Sequence, residues 1–253
     1  MEEQIITGNQ NRIRIRDGVV HRPSHAWSDG IKCLLQFCRT EGLEFVPEWR
    51  GRDEQGNEIF EYIDGEVGNY PLPEFLKSVT AIVSAAKTLR RFHDVTAKLV
   101  GKEALQLQFE AVDPIQVVCH GDFAPYNCVF DHQGNIKGVI DFDGARLGPK
   151  IWDLAYAIYR FVPFVDFGNA DDGFGGLTNR LDRLKIFFDT YEASREERIA
   201  AVRLLPRRLL ALLDWMYQEA ANGNAGCVQN LRDKHHELYL RDIRALTWLY
   251  EAI

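Results

Sequence analysis

The chemically capable side chains crowd into two short segments. One reads Cys119-His120-Gly121-Asp122-Phe123-Ala124-Pro125-Tyr126-Asn127, the other Val139-Ile140-Asp141-Phe142-Asp143. Asp122, Asn127 and Asp141 form a set of hard oxygen donors with one carboxylate to spare. Magnesium takes one or two protein carboxylates and leaves positions for substrate phosphates and water, a demand that Asn127 plus Asp141 would meet. Asp122, on a loop beside a flexible glycine, is then available to accept a hydrogen bond from a substrate hydroxyl and align it for in-line attack on a phosphoryl group. His120 belongs to the same catalytic loop. No second histidine stands at ligand spacing, so it reads as a hydrogen-bonding residue that orders the loop rather than as part of a closed zinc site.

Two β-type runs flank this chemistry. Cys128 to Phe130 and Ile136 to Ile140 are separated by Asp131-His132-Gln133-Gly134-Asn135, and a hairpin turning near Gln133 returns Asn127 close to Asp141. Val117 to Cys119 is a third short run. Upstream, Arg12 to Arg16 and Val19 to His21 surround Asp17-Gly18, a strong hairpin signal. Ile31, Leu34, Leu35 and Phe37 mark a helix over Trp27 to Cys38, and Ile59 to Ile63 is another strand. The two prolines of Asn69-Tyr70-Pro71-Leu72-Pro73 impose a stiff, non-helical break. A small sheet-rich lobe over 1–70 and a larger helical lobe over 71–253 follow. In the second, Glu74 to Val100 repeats apolar residues at helical spacing, and Leu204 to Tyr217 and Leu238 to Tyr250 are further amphipathic helices.

The 253 residues allow one to two domains. The formal charge of -7 lacks the electrostatic footprint of a nucleic-acid binder. A cationic or neutral partner fits better. No apolar stretch approaches the roughly 18 residues of a membrane span, and the first residues lack the apolar centre of a secretory signal, so a cytoplasmic protein without a membrane partner is expected. Five cysteines without a C-x-x-C pair read as reduced, mostly buried thiols.

His120-Gly-Asp122-x-x-x-x-Asn127, Ile140-Asp-Phe-Asp143 and Trp152-Asp153-Leu-Ala together resemble the aminoglycoside phosphotransferase and choline kinase family. The resemblance implies an α+β, protein-kinase-like fold of two lobes, with a small, shortened β-rich N-lobe and a larger, mostly helical C-lobe. It implies transfer of the γ-phosphoryl group of ATP or GTP, with magnesium, to a hydroxyl of a small molecule such as an aminoglycoside, an amino alcohol or a sugar. Asp122 is then the catalytic-loop aspartate, with Asn127 and Asp141 as magnesium ligands. Asp143 either assists a second metal or accepts hydrogen bonds. Asp153, early in a helix, satisfies free backbone N–H groups and buttresses the catalytic loop. Phe60 to Ile63, with Glu61 and Ile63 as the contacts, becomes the strand and hinge that bind adenine through backbone groups.

The small lobe departs from the pattern. Gly8-Asn-Gln-Asn11 reads either as a shortened phosphate loop or as a plain turn, and the strand that should carry a lysine reads Val19-Val-His-Arg22-Pro23. Arg22 is the nearest cation, although arginine is not equivalent to lysine. The helix after it holds no glutamate, so the usual ion pair is absent or rebuilt, with Glu41 and Glu44 as candidates. Asp166, Asp171 and Asp172 lie in a glycine-rich stretch able to attract a cationic acceptor or simply to be solvated. Tyr126, Trp152, Tyr156, Tyr159 and Trp215 are able to cradle a cation, while Tyr156 and Tyr159 look like packing. A binding module that has lost turnover, and less favourably a metal-dependent hydrolase, remain the rival readings.

Overall fold

The computed structural model describes residues 4–7, 12–102, 105–163, 165 and 177–246. The candidate phosphate loop at 8–11 and Asp166, Asp171 and Asp172 lie outside them. The first sheet comprises β1 (Gln4–Thr7), β2 (Arg12–Arg16), β3 (Val19–Arg22), β4 (Trp49–Arg52) and β5 (Glu58–Glu61), all antiparallel in the order β1-β2-β3-β5-β4. Arg16 pairs with Val19 across Asp17-Gly18, whose φ values of 52° and 76° are those of a tight hairpin turn matched to strand twist. α1 (Ser28–Thr40) follows β3 and buries Ile31, Leu34, Leu35 and Cys38. β3 and β5 place Arg22 directly opposite Glu58.

The chain then leaves this sheet. β6 (Glu66–Val67) pairs with β8 (Cys128–Phe130), which pairs with β9 (Ile136–Val139) in a three-stranded sheet. The β8–β9 turn is fastened by Asp131, whose Oδ1 accepts from the backbone N–H of Gln133 at 2.9 Å and of Asn135 at 2.8 Å. β7 (Val117–Cys119) and β10 (Arg146–Gly148) form a separate antiparallel pair.

The single helix expected over 74–100 is divided into a 3₁₀ turn at Glu74–Lys77, α2 (Val79–Thr96) and a 3₁₀ turn at Ala97–Leu99. Ser78 makes the first break: its backbone is extended, and its hydroxyl accepts from Ala81 N at 3.2 Å to start α2 afresh. The remaining helices are α3 (Lys150–Phe161), α4 (Leu177–Tyr191), α5 (Arg195–Ala221), α6 (Ala225–Arg232) and α7 (His235–Ala245). α5 opens with a Ser194/Glu197 capping box. One apolar core runs from Leu34 of α1 and Phe60 of β5 through Ile82 and Leu89 of α2 to Phe142, Ala155 of α3 and Leu205 of α5. All five cysteines are free thiols, and only Cys33 is exposed. No described helix is long and apolar enough to cross a membrane.

Candidate functional site

The β8–β9 hairpin brings the two polar segments together. Cys128 pairs with Val139, and Ile140 N donates to Asn127 O at 2.9 Å, so Asn127 stands across from the residue preceding Asp141. The loop after β7 packs on the turn after β9. Gly121, at φ 83°, lies so close to Gly144 that a Cβ there would come within 1.9 Å of the Gly144 carbonyl oxygen. This approach is what brings Asp122 to Asp141 and Asp143.

Asp122 is held by two donors. Asn127 Nδ2 reaches its Oδ2 at 2.8 Å and its backbone oxygen at 2.9 Å, and Tyr126 Oη donates to its Oδ1 at 2.9 Å. With its amide nitrogen so used, Asn127 is left with a side-chain oxygen that makes no hydrogen bond among the described residues. His120 spends both ring nitrogens inside the protein: Nε2 donates to Ile140 O at 3.0 Å and Nδ1 accepts from Asp122 N at 3.2 Å. Burial lowers its pKa, against the pull of Asp153 and Asp122, so it stays neutral. Its place is that of a loop-ordering residue, and a hydrolase using it as a metal ligand has no nitrogen to use.

Asp153 is fully buried on α3, but it does not cap its own helix. Its Oδ2 accepts from His120 N at 2.7 Å and His93 Nε2 at 3.0 Å, and its Oδ1 from Gly121 N at 2.8 Å. The helix-capping part of the expectation is therefore corrected, because N–H groups of the loop after β7 take both oxygens. Burial alone would raise its carboxyl. Hydrogen bonds from His93 and Gly121 outweigh it and leave the pKa below the usual range. From the other side, Arg208 of α5 donates to the Gly121 carbonyl, its guanidinium lying 4.4 Å from the centre of the Tyr156 ring and 5.1 Å from that of Trp152. Nothing in the sequence marked Arg208, since α5 lies 87 residues from the loop it grips.

Asp141 sits at φ 62° and ψ 63°, a left-handed conformation costly for a non-glycine residue. It keeps an exposed surface although protein closes around the rest of it. That desolvation, with Asp143 and Asp122, raises its pKa to about 7, and among the charged groups Arg22 opposes the rise. Asp141, open on one side and raised by two other carboxylates, together with the unused Asn127 oxygen on the facing strand, offers the hard oxygen donor types that magnesium takes, while among the described residues no three His, Cys, Asp or Glu side chains converge as a metal cluster. Asp143 accepts hydrogen bonds: Arg22 grips it with Nη1 at 3.0 Å and Nη2 at 3.1 Å, and Trp27 Nε1 reaches it at 3.0 Å.

Arg22 also binds Glu58, with Nε at 3.2 Å and Nη2 at 3.1 Å from Oε2, an oxygen that takes the Ser28 hydroxyl at 2.8 Å as well. Arg22 thus pairs with Glu58 of the adjacent strand. Glu41 and Glu44 play no part in this pair: Glu41 pairs with Lys98, and Glu44 is exposed. Opposite register on two strands is a signal that could have found Glu58 once the β3–β5 pairing was known.

At the hinge, Glu61 N donates to Glu48 O at 2.9 Å, and the Glu61 carboxylate is taken by Arg39 and Glu48 N. Its N–H is therefore not available to a base. Ile63, by contrast, has backbone N–H and C=O groups without partners among the described residues, and its side chain presses on Gly138 of β9. Of the five aromatic residues singled out, Tyr126, Tyr156 and Tyr159 surround a cation, but it is the protein's own; Trp152 lies against Arg146 and Arg208, and Trp215 packs on Phe109. The Arg160 guanidinium lies 4.8 Å from the Tyr159 ring centre and 5.4 to 5.7 Å from those of Tyr70, Tyr126, Tyr156 and Tyr239.

Residues 101–187, which contain these loops, match the model of the phosphotransferase enzyme family. The chain is 30% identical over 198 residues to the trifolitoxin immunity protein of Rhizobium leguminosarum bv. trifolii, covering 76% of this chain and 74% of the relative. Among solved structures it is similar to amicoumacin kinase in complex with AMP-PNP, Ca2+ and amicoumacin, with a TM-score of 0.65 at 12% identity over 92% of this chain and 88% of that one. It is also similar to a choline/ethanolamine kinase family protein from Mesorhizobium loti, with a TM-score of 0.59 at 14% identity over 97% and 92% of the two chains. The fold is thus the α+β, protein-kinase-like one, and with a curated relative matched over three quarters of its length the chain belongs to the phosphotransferase enzyme family.

Proposed function

We propose that this protein transfers the γ-phosphoryl group of ATP or GTP to a hydroxyl of a small molecule. The observation that carries the reading is Asp122: a carboxylate oriented by Asn127 and Tyr126, on a loop pinned by Asp153 and Arg208, packed against the turn that bears Asp141 and Asp143. Asp122 would accept the hydrogen bond of the acceptor hydroxyl and align it for in-line attack. Asn127 and Asp141, with Asp143 beside them, would hold magnesium, which when bound neutralises charge on the phosphates. Arg22 would contact phosphate oxygens in place of a lysine, held in position by Glu58. Ile63 would meet the base with its free backbone groups.

A nucleotide-consumption assay across amino alcohols, sugars and aminoglycosides tests this, with Asp122→Ala as the control. Turnover in the native protein and none in Asp122→Ala, with nucleotide binding retained, is the expected result. Equal activity in both would overturn it.

A second reading is a nucleotide-binding module that acts by binding rather than by turnover. Two observations favour it: a relative is named as an immunity protein, and Arg22 is engaged by two carboxylates. It predicts a thermal-stability gain with nucleotide and magnesium, no turnover on any acceptor, and nothing for Arg22→Ala to abolish.

A further inference from the structure

Behind Asp122 lies a hydrogen-bonded chain of one polarity. Tyr126 Oη stands 2.9 Å from Asp122 Oδ1 and 2.8 Å from Tyr156 Oη, and Arg160 Nε stands 3.2 Å from the same Tyr156 oxygen. Only one proton assignment satisfies all three contacts. Arg160 can only donate, so Tyr156 accepts from it and passes its own proton toward Tyr126, whose proton is directed at the Asp122 carboxylate. Burial holds both hydroxyls protonated, so each remains a donor.

The cation at the end of the chain is unusual. Arg160 is 8% exposed and has no ion-pair partner among the described residues. Burying an unpaired cation is costly, and here five tyrosine rings and the hydroxyls of Tyr156 and Tyr239, the latter at 2.8 Å from Nη2, take the place of a carboxylate. Asp122 is the carboxylate to which its hydrogen bonds lead. Residues 156 and 160 are one helical turn apart on α3, and the ring is completed from α7 by Tyr239, so two helices of the large lobe bear on one carboxylate.

We infer that Arg160, Tyr156 and Tyr126 are positioning residues that fix the rotation of the Asp122 carboxylate, with Tyr126 fastening Oδ1 as Asn127 fastens Oδ2. This inference rests on the role proposed for Asp122. Tyrosine-to-phenylalanine changes remove single links while keeping the rings that surround Arg160. In the full chain, Tyr126→Phe is expected to lower kcat about tenfold, the scale of one hydrogen bond to a charged group, with the KM for nucleotide unchanged. Tyr156→Phe, one link further out, should lower kcat about threefold in the same manner. Arg160→Lys, which keeps the charge, should retain more activity than Arg160→Gln. A fall in Tm with kcat unchanged in both phenylalanine variants would reduce the cluster to packing and overturn the inference.

A thermal double-mutant cycle on Tyr126→Phe and Asp122→Ala tests the chain independently of turnover. The double variant should lose less Tm than the two single losses added, because the partners share one bond. Strict additivity would overturn the chain. If the native protein turned over no acceptor but the cycle showed coupling, the phosphotransferase reading would fail while the chain stood.

Discussion

Asp153→Asn is the most informative single change to the scaffold of the site. The side chain keeps its shape, but one oxygen becomes an NH2 facing a donor. With the amide oxygen retained toward His120 N and His93 Nε2, the NH2 points at Gly121 N, which stands 2.8 Å from the native oxygen. Two buried donors, the new NH2 and the Gly121 N–H, then lack acceptors. At about 1–3 kcal/mol for each orphaned group the loss is about 2–6 kcal/mol, against a total stability of about 5–15 kcal/mol. For a chain of this size that means a Tm at least about 4 °C lower, read by thermal or urea denaturation. The pH dependence fixes the sign. The native carboxyl lies below the ordinary 3.8, so its stabilisation is fully present above that value and is lost as pH falls through the native pKa. The deficit of the variant should therefore be widest at neutral pH and narrow below about pH 4. Since the orphaned donor belongs to the loop proposed to carry the catalytic aspartate, a shift approaching 1 Å should also lower kcat by up to about a hundredfold. A Tm within about 1 °C of the native protein, with unchanged kcat, would refute the buttressing role.

Three further changes probe other contacts. Gly121→Ala meets both a positive φ of 83° and a Cβ position 1.9 Å from the Gly144 oxygen, so it should yield unfolded or inactive protein; soluble, active protein would contradict the close packing of the two loops. Gly138→Ala places a Cβ 2.6 Å from Ile63 Cδ1. About 1 kcal/mol of overpacking at the hinge, expressed as a roughly fivefold weaker nucleotide Kd by calorimetry, is expected, and an unchanged Kd would remove Ile63 from the nucleotide site. Arg22→Lys supplies one nitrogen where the guanidinium serves Glu58 and Asp143 together. A loss of up to about 3–5 kcal/mol in urea denaturation follows from leaving one carboxylate uncompensated, and an unshifted midpoint would show that the pair is not needed.

What was legible in the sequence was whatever local spacing dictates. The Asp17-Gly18 hairpin, the β8–β9 hairpin and the return of Asn127 to the strand before Asp141 depend on turns of a few residues, and they stand where the pattern puts them. The division at Ser78 was missed because a hydroxyl can cap a new helix without disturbing the apolar period on either side. Long-range partners were less legible still. Glu58 reaches Arg22 across 36 residues and Arg208 reaches Gly121 across 87, and no periodicity connects such pairs. The left-handed Asp141 is likewise a property of the packed site, for nothing in Ile140-Asp-Phe announces a strained backbone.

Net charge was the least informative guide to the site. The surplus of seven negative charges suggested carboxylates steering a cation, and at long range in water such steering still holds. Close to the reacting groups the field is set by charges that protein shields from water, where screening is weak. There the described structure has gathered three arginines: Arg22 on Asp143, Arg208 on the Gly121 carbonyl, and Arg160 inside the tyrosine ring that leads to Asp122. The acidic cluster of Asp122, Asp141 and Asp143 is thus balanced on the protein side by guanidinium groups held in place by neighbours rather than by mobile lysines. In the proposed reaction, fixed cations of this kind would need no reorganisation as charge develops on a transferred phosphoryl group. The tyrosine ring, already occupied by Arg160, has no room in this arrangement for the charge of an acceptor, so selection of a cationic substrate would have to come from other carboxylates.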